Sequence, residues 1–325
     1  MRGTLLLPKV ETNFHFKKHR MPTVLIGGGS GLVGQRLSHA FLERGYTVFH
    51  YSRTKDLHAQ FLAYAWNPAE GTLDSEPLEH ADVVINLAGA GIADQPWTKK
   101  RKELIISSRV QSTTLLAEKI RESGHQPKAF LSASAIGYYG DRQNEWLEEN
   151  SDPGKSGFLA ESCKVWEQAI TQAAEITGVR TAWVRIGLVL STRGGALPKI
   201  MTPLHFRLGT YFGSCQQWYS WIHIDDLARM FVHLAETESL SGPFNGVTPS
   251  PLRNKDFVRE IMAAMKAPGL MLPAPEFALR LALGEMADAV LTGSRVSAQK
   301  ILDSGFQFQH PDLREAVQHL RTNRI

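Results

Sequence analysis

The sequence predicts an α/β protein with a doubly wound parallel sheet and a smaller C-terminal subdomain. Two observations predict this class. From Pro22 to Ile186, short β-branched segments alternate with segments of helical hydrophobic periodicity. Five glycines also lie within 27–34, at the first junction between a strand and a helix. Because crossovers between such strands are almost always right-handed, the strands are expected to form one parallel sheet.

Length and composition are those of a globular chain. The 325 residues allow one large domain or two closely associated ones, and 43% hydrophobic with 21% charged residues excludes long disorder. No segment approaches about 18 consecutive apolar residues, so no membrane span is expected. Two cysteines, Cys163 and Cys215, are too few for a disulfide framework. With no secretory signal visible, a reduced, cytoplasmic protein is predicted.

The net charge of +4 is concentrated at the N-terminus. Residues 1–20 hold five of the 36 basic residues and one of the 32 acidic residues, which leaves 31 of each in the remainder. We therefore expect a flexible N-terminal extension over 1–20 and no nucleic-acid-binding face. The basic run Lys99–Lys102 is interpreted as a solvated helix face.

The predicted elements follow one another in a regular order. Thr23–Ile26 is a buried strand, and the helix after it carries Leu37, Phe41 and Leu42 and ends at Gly45. Thr47–Tyr51 is the second strand. Between 55 and 79 only Leu62–Trp66 fits a strand. Further strands are expected at Val83–Leu87, Ala129–Ala133 and Thr181–Ile186, with helices over 98–123 and 158–177.

The regular alternation of strands and helices ends after Ile186, where glycine, proline and aromatic residues become frequent. A late strand is predicted at Trp221–Ile224, with Asp225 or Asp226 capping the next helix. Residues 248–325 carry short helices between prolines. We therefore divide the chain into a main α/β domain over 21–195, to which 221–247 returns, and a smaller subdomain from 196–220 and 248–325.

The glycine cluster matches two known spacings. GxGxxG is satisfied at Gly29, Gly31 and Gly34, and GxxGxxG at Gly28, Gly31 and Gly34. Between a buried strand and an amphipathic helix, such a loop places a pyrophosphate at the helix N-terminus, as in Rossmann-type folds. A glycine-rich turn without a ligand is the alternative. The cofactor-binding residues predicted here are Gly28, Ser30, Gly31, Leu32 and Val33.

The end of the second strand favours NADP (NADPH) over NAD. An acidic residue at this position would hold the adenosine ribose, but the strand ends in Ser52 and Arg53, the latter 22 residues after Gly31. A hydroxyl and a guanidinium suit a 2′-phosphate. An ordinary surface arginine is the alternative.

Motifs along the rest of the chain extend this pattern. They are Ala81–Gly89, Ser107–Val110, Ser134–Gly140, Phe158–Ala160, Trp166–Glu167, Arg185–Leu190, Gly194–Leu197, Trp221–Ala228, Asn245–Gly246 and Leu302–Leu313. Together with the glycine loop they resemble the extended, atypical short-chain dehydrogenase/reductases. More narrowly, the chain is similar to an epimerase-like family that is related to nucleotide-sugar epimerases and has its own C-terminal extension. The resemblance covers Thr23 to Leu320.

The resemblance implies further cofactor contacts. Leu87, Ala88 and Gly89 would line the cofactor at the end of their strand, and Arg109 would lie beside the cleft on the following helix. Leu188 and Val189 would approach the nicotinamide amide through their backbone. Core packing for Leu87 and Val189, and a surface ion pair for Arg109, are the alternatives.

The catalytic pattern of these enzymes is incomplete in this chain. The resemblance implies a serine at the reacting oxygen, a tyrosine as general acid or base, and a lysine four residues later. Ser134 and Lys164 match, but Ala160 stands where the tyrosine belongs. Lys164 is therefore assigned to the cofactor ribose, and Ser134 and Tyr138 are the catalytic candidates.

Alternative interpretations remain for several of these residues. Tyr138 and Tyr139 could be aromatic packing, Glu161 adjoins the vacant position, and Cys163 is interpreted as a buried thiol. The segment from His223 to Asp226 suggests metal ligands, but no second ligand cluster is visible, so no metal is expected.

Two functions follow as expectations. The first is an NADP-dependent epimerase-like oxidoreductase acting on a carbonyl or hydroxyl of a small polar substrate. The second is a non-catalytic NADP(H)-binding regulator or scaffold, suggested by Ala160. The expected partners are a small-molecule substrate and a second copy of the chain, which would pair through the helices at 98–123 and 158–177.

Overall fold

The computed structural model describes residues 20–323. The extension predicted over 1–20 lies outside the described residues except for Arg20. The strands of the described part are β1 Thr23–Gly27, β2 Thr47–Ser52, β3 Leu62–Asn67, β4 Thr72–Leu73, β5 Val83–Asn86, β6 Ala129–Ala135, β7 Trp146–Leu147, β8 Thr181–Ile186, β9 Leu188–Leu190, β10 Leu208–Phe212, β11 Trp218–Tyr219, β12 Trp221–His223, β13 Gly242–Gly246, β14 Leu252–Arg253, β15 Leu270–Ala274 and β16 Arg295–Val296. The α-helices are α1 Leu32–Glu43, α2 Lys99–Ser123, α3 Phe158–Thr177, α4 Ala196–Met201, α5 Ile224–Glu236, α6 Asn254–Ala264, α7 Glu276–Leu283, α8 Asp288–Leu291, α9 Gln299–Asp303 and α10 Leu313–Asn323.

An eight-stranded sheet forms the centre of the molecule. Its strands lie in the order β13, β8, β6, β5, β1, β2, β3, β4, and all neighbours are parallel except the β3–β4 pair. The predicted doubly wound sheet is therefore confirmed. Leu62–Asn67 does form a strand, in parallel register with β2.

The central strand β1 is buried on both faces because helices cover both sides of the sheet. Val24 and Ile26 face the cluster that contains Phe41 of α1 and Phe231 of α5. Leu25 faces the opposite cluster, which contains Leu116 of α2. Alternate residues thus enter two cores, as expected for a continuous apolar strand in a parallel sheet.

The chain after β8 is shared between the sheet and a third core. Helix α5 packs on α1, and β13 extends the sheet beyond β8, whereas β12 pairs with β9 in a separate ladder. Helices α6 and α10 pack together, with Phe257 and Val317 among the buried residues of their core. Among residues 20–323 no helix has the length and apolar character needed to cross a bilayer.

The predicted cap of α5 is wrong. The residue before the helix is His223, and its Nδ1 accepts the N–H of Asp225 across 3.0 Å. Asp225 and Asp226 lie in the first turn instead, where their charges favour the helix dipole. An imidazole performs the role that the sequence pattern assigns to a carboxylate.

Candidate cofactor and active site

The glycine loop between β1 and α1 has no room for side chains at three of its positions. Gly28 has φ +81°, and a Cβ there would lie 2.9 Å from the backbone nitrogen of Ala88. A Cβ on Gly29 would meet the His50 ring at 2.4 Å, and one on Gly34 would meet the Gly28 carbonyl oxygen at 2.4 Å. The loop therefore needs glycine to pack against the sheet, as a dinucleotide loop does.

The N-terminus of α1 is open to a ligand. Gly31 precedes the helix with φ −73°, and no side chain of the described chain caps it. Its own N–H bonds to the Gly28 carbonyl, which holds the turn closed. The free N–H groups of the first turn and the positive end of the helix dipole suit a pyrophosphate.

Three other segments lie close to this turn. The Gly28 backbone packs on Leu87 and Ala88, which follow β5, and Leu87 donates its N–H to Gly27. Positions 194 and 195 lie within contact distance of the Leu32 side chain, and position 195 also approaches the Val189 carbonyl. The structure thus brings the ends of β1, β5 and β9 to one end of the sheet.

Arg109 lies beside the same end of the sheet. Its Nη1 donates to the carbonyl oxygens of Ala90 and Ile105, and its guanidinium lies 4.9 Å from the Trp166 ring centre. A Cβ built on Gly89 would contact this side chain at 3.1 Å. Within residues 20–323 it has no carboxylate partner, so its charge remains available to an anion.

Ser52 and Arg53 end the second strand as predicted. Ser52 is half-buried and Arg53 is exposed. No hydrogen bond or ion pair inside 20–323 involves the Arg53 guanidinium, whereas the neighbouring Lys55 is paired with Asp74 at 2.6 Å. The roles assigned to Arg53, Arg109 and the loop residues remain predictions.

The serine candidate lies in a buried charge network. The Ser134 hydroxyl donates to Glu167 Oε1 across 2.6 Å, and Arg185 binds both oxygens of that carboxylate at 2.9 and 2.8 Å. Ser134 is 2% exposed, Glu167 6% and Arg185 3%. Arg185 Nη1 also donates to the Tyr139 hydroxyl, which donates to Asn245. Ser134 is therefore bound to a carboxylate rather than directed into open space.

The two tyrosines differ in their surroundings. Tyr139 is fully buried, and its hydroxyl is hydrogen-bonded on both sides, so it is a packing residue. Tyr138 is half-buried, with the Arg185 guanidinium 3.6 Å from its ring centre. Burial raises the pKa of Tyr138 above 10.0, against the opposing effect of Arg185. Its phenol is therefore protonated at neutral pH and can act as a proton donor.

Ala160 fills its position instead of leaving a gap. It is 1% exposed, and a Cβ built on Gly154 would lie 3.0 Å from the Ala160 methyl. Gly140 closes the same space, and the Gly154 N–H bonds to the Tyr138 carbonyl. The backbone of the 140–154 segment therefore covers the place from which a tyrosine would project. Lys164, one turn further along α3, is half-buried.

Cys163 is a core thiol, as the sequence indicates. Burial, reinforced by Glu167, raises its pKa to about 12. At neutral pH the thiolate fraction is therefore negligible, and the residue is a poor nucleophile.

Glu167 and Arg185 belong to the motifs that carry the resemblance, but neither has a predicted role. Both carry a signal that could have revealed them. Glu167 lies on the apolar face of α3 beside Trp166 and Ile170, and Arg185 interrupts the apolar strand β8. A charged residue at a core position requires a buried partner of opposite charge, and these two supply it for each other.

Comparison with known proteins places this architecture in a family. Residues 24–245 match the model of the NAD dependent epimerase/dehydratase family. The chain belongs to that family. Residues 274–320 of this epimerase-family chain match a second model, which describes a domain of unknown function and extends from the end of β15 into α10.

Individual epimerase-family proteins match over most of the chain. An epimerase family protein of Bacillus subtilis, YfhF, is 35% identical over 302 residues, which cover 93% of this chain and 98% of that protein. The crystal structure of human epimerase family protein SDR39U1 (isoform 2) with NADPH has a TM-score of 0.81 at 28% identity, covering 93% of this chain and 99% of that one. A nucleoside-diphosphate sugar epimerase from Corynebacterium glutamicum has a TM-score of 0.74 at 34% identity, covering 92% of this chain and 58% of that one.

Proposed function

We propose that this chain is an NADP(H)-dependent oxidoreductase that acts on a carbonyl or hydroxyl of a small polar substrate. The observation that carries the proposal is the presence of two features, an N-terminus of α1 that no described side chain caps and an exposed Arg53 at the end of β2. The similarity to a human protein whose structure contains NADPH supports the choice of cofactor.

The cofactor roles follow from the charges around the loop. The first turn of α1 would receive the pyrophosphate through the N–H groups after Gly31, and Arg53 with Ser52 would bind the 2′-phosphate. Lys164 would hold the nicotinamide ribose. When bound, NADPH supplies a hydride to an electrophilic carbon, and the chain itself has to supply the proton.

Tyr138 is the residue that we assign to proton transfer. In a reduction, the hydride would go to the carbonyl carbon and the Tyr138 phenolic proton to the oxygen, after which water restores the phenol. A raised pKa keeps that proton in place until the oxygen becomes basic. Ser134 is engaged by Glu167, so we assign it to positioning the carboxylate that holds Arg185 against the Tyr138 ring.

A second function is favoured by one observation. Ala160 is closely packed beneath Gly154, and the usual tyrosine could not be accommodated there without moving backbone. A chain that binds NADP(H) without turnover, as a regulator or scaffold, would tolerate that replacement. The two functions share the cofactor site and differ in hydride transfer.

The deciding experiment follows the hydride. The protein is loaded with NADPH that carries deuterium on one face of C4, and in a second preparation on the other face. Each preparation is incubated with a metabolite extract, which is then analysed by mass spectrometry. Deuterium in one metabolite, lost in Tyr138→Phe with NADPH binding retained, supports the oxidoreductase and the Tyr138 assignment. Transfer that Tyr138→Phe does not reduce removes Tyr138. An absence of transfer, with no reduction of bound NADP⁺ by the extract, favours the binding protein.

A further inference from the structure

Three histidines and an aspartate meet where the start of α5 faces the C-terminal helix α10. His223 ends β12, Asp225 lies in the first turn of α5, His310 precedes α10 and His319 lies within α10. One possible ligand atom from each of the four lies within 4.8 Å of all the others. His223 and Asp225 are buried, and His310 and His319 are half-buried, so the group is shielded and still reachable from solvent.

The spacing of His223 and His319 matches that of two ligands of a tetrahedral metal ion. His223 Nε2 lies 3.3 Å from His319 Nδ1. With metal–nitrogen bonds of about 2.0–2.1 Å, two ligands of a tetrahedral zinc ion lie about 3.3–3.4 Å apart. In the structure the His310 ring stacks on both others, with ring centres 4.0 Å from His223 and 4.2 Å from His319, and one of its nitrogens lies within 4.8 Å of a ligand atom of each.

His310 is held in place by the buried carboxylate of Asp226. Asp226 accepts the backbone N–H groups of Gln309 and His310, each at 2.9 Å, and is paired with Arg229 at 2.8 Å. The Asp226 side chain is fully buried. This contact fixes the segment before α10 against α5 and keeps His310 over the His223 ring.

The carboxylate of Asp225 stands behind His223. Its Oδ1 accepts from Arg36 Nε at 2.5 Å, and its Oδ2 lies 3.9 Å from His223 Nδ1. A carboxylate behind a histidine is the usual outer partner of a zinc-binding imidazole, because it accepts the proton of the nitrogen that does not bind the metal.

We propose that His223, His310 and His319 bind one divalent transition-metal ion of the zinc class, with Asp225 orienting His223. In the structure His223 Nδ1 accepts the Asp225 N–H, so its neutral ring carries the proton on Nε2 and donates it to His319. Metal binding would move the proton to Nδ1, which then gives up the Asp225 N–H bond and faces Asp225 Oδ2, 3.9 Å away in the structure, and would leave Nε2 free for the metal. No net proton is gained or lost by His223.

Such a site would join two parts of the chain that are distant in sequence. His223 belongs to the segment that packs on α1, and His310 and His319 belong to the C-terminal segment 304–323. Metal binding to the folded state alone stabilises that state by mass action. The ion would therefore fasten the C-terminal segment to the nucleotide-binding core.

The test measures metal binding directly on the untagged full chain. After chelator treatment and dialysis, Zn²⁺ is titrated by calorimetry and Co²⁺ by its visible absorption, which reports a tetrahedral nitrogen environment. We expect one equivalent to bind, with affinity lowered at least about tenfold in His310→Ala and in His319→Ala. We also expect Zn²⁺ to raise the Tm of the native chain and not that of the variants.

Matched controls use histidines outside the cluster. His233→Ala removes a half-buried histidine of α5 that bonds to Ser304, and a His15→Ala, His19→Ala double variant removes two histidines of the N-terminal segment. Both should bind like the native chain. Circular dichroism of the metal-free variants verifies folding. The absence of a stoichiometric Co²⁺ spectrum in the native chain, or binding unchanged in both cluster variants, would show that the histidines form only a hydrogen-bonded group.

Discussion

Ser134 donates its hydroxyl hydrogen to Glu167 Oε1 across 2.6 Å, in the interior of the protein. The same carboxylate is bound by Arg185, and the Arg185 guanidinium covers the Tyr138 ring. The serine to which the resemblance assigns the reacting oxygen is thereby tied to a buried ion pair. Ala160, which stands where the resemblance implies a tyrosine, lies on the same helix as Glu167, about two turns before it.

Glu167→Gln should destabilise the fold strongly. The substitution leaves the buried Arg185 guanidinium without its counter-charge, which costs about 3–5 kcal/mol in the free energy of unfolding. Urea unfolding measures this change. The exposed pair Arg142–Glu145 provides the control, because Glu145→Gln should cost less than about 1 kcal/mol. Equal, small effects at both sites would contradict the buried network.

Ala160→Tyr should not restore the usual active site. The ring has to displace the backbone around Gly154, so we expect a loss of about 1–3 kcal/mol in the free energy of unfolding. Ala160→Ser, which adds one small atom, is the matched control and should cost less. If the tyrosine variant unfolds like the native chain and gains dehydrogenase activity, the 140–154 segment does not exclude a tyrosine at position 160.

Two glycine substitutions should separate folding from cofactor binding. Gly34→Ala places a methyl 2.4 Å from the Gly28 carbonyl and should destabilise the fold by about 1–3 kcal/mol. Gly31→Ala has ordinary φ and its methyl meets only the Gly28 carbonyl, at 3.4 Å, so the Tm should change little. The Gly31→Ala methyl would nevertheless stand where a pyrophosphate meets α1, and NADPH binding should fall at least about tenfold. NADPH binding is measured by fluorescence. Unchanged binding in Gly31→Ala would show that the pyrophosphate does not bind at the N-terminus of α1.

His50 should make stability depend on pH. Burial against Ser38 and Phe61 lowers its pKa from 6.5 to about 4. Between about pH 4 and pH 6.5 the His50 side chain is therefore protonated in the unfolded chain and neutral in the folded chain. The contribution of His50 to the free energy of unfolding is fully present above pH 6.5 and declines as the pH falls toward 4. The loss reaches roughly 3 kcal/mol at the low end. Urea unfolding at pH 7.5 and 5 should show a smaller difference in His50→Gln than in the native chain, and an identical difference would exclude His50.

The fold could be predicted from the sequence because the sequence patterns that predict it are local. The alternation of strands and helices, the helices over 98–123 and 158–177 and the glycine turn each depend on neighbouring residues. The cap of α5 was mispredicted because side-chain type alone does not show that His223 Nδ1 faces the Asp225 N–H.

Contacts between residues that are distant in the sequence could not be predicted in the same way. Ser134 and Glu167 are 33 residues apart, and His223 and His319 are 96 apart. Their meeting depends on which helix packs on which strand. The histidine cluster in particular combines an unremarkable strand end with two histidines of the C-terminal segment, so the sequence shows no ligand spacing.

The proposed NADP(H) specificity depends most directly on the contact between Arg53 and the 2′-phosphate. The measurement is the Kd of NADPH and of NADH for the native chain and for Arg53→Glu, with Arg121→Glu, an exposed arginine of α2, as the matched control. We expect the native chain and the control to bind NADPH at least about tenfold more tightly than NADH, and Arg53→Glu to lose that preference while keeping its NADH affinity. Equal binding of the two cofactors by the native chain, or an unchanged preference in Arg53→Glu, would contradict the account.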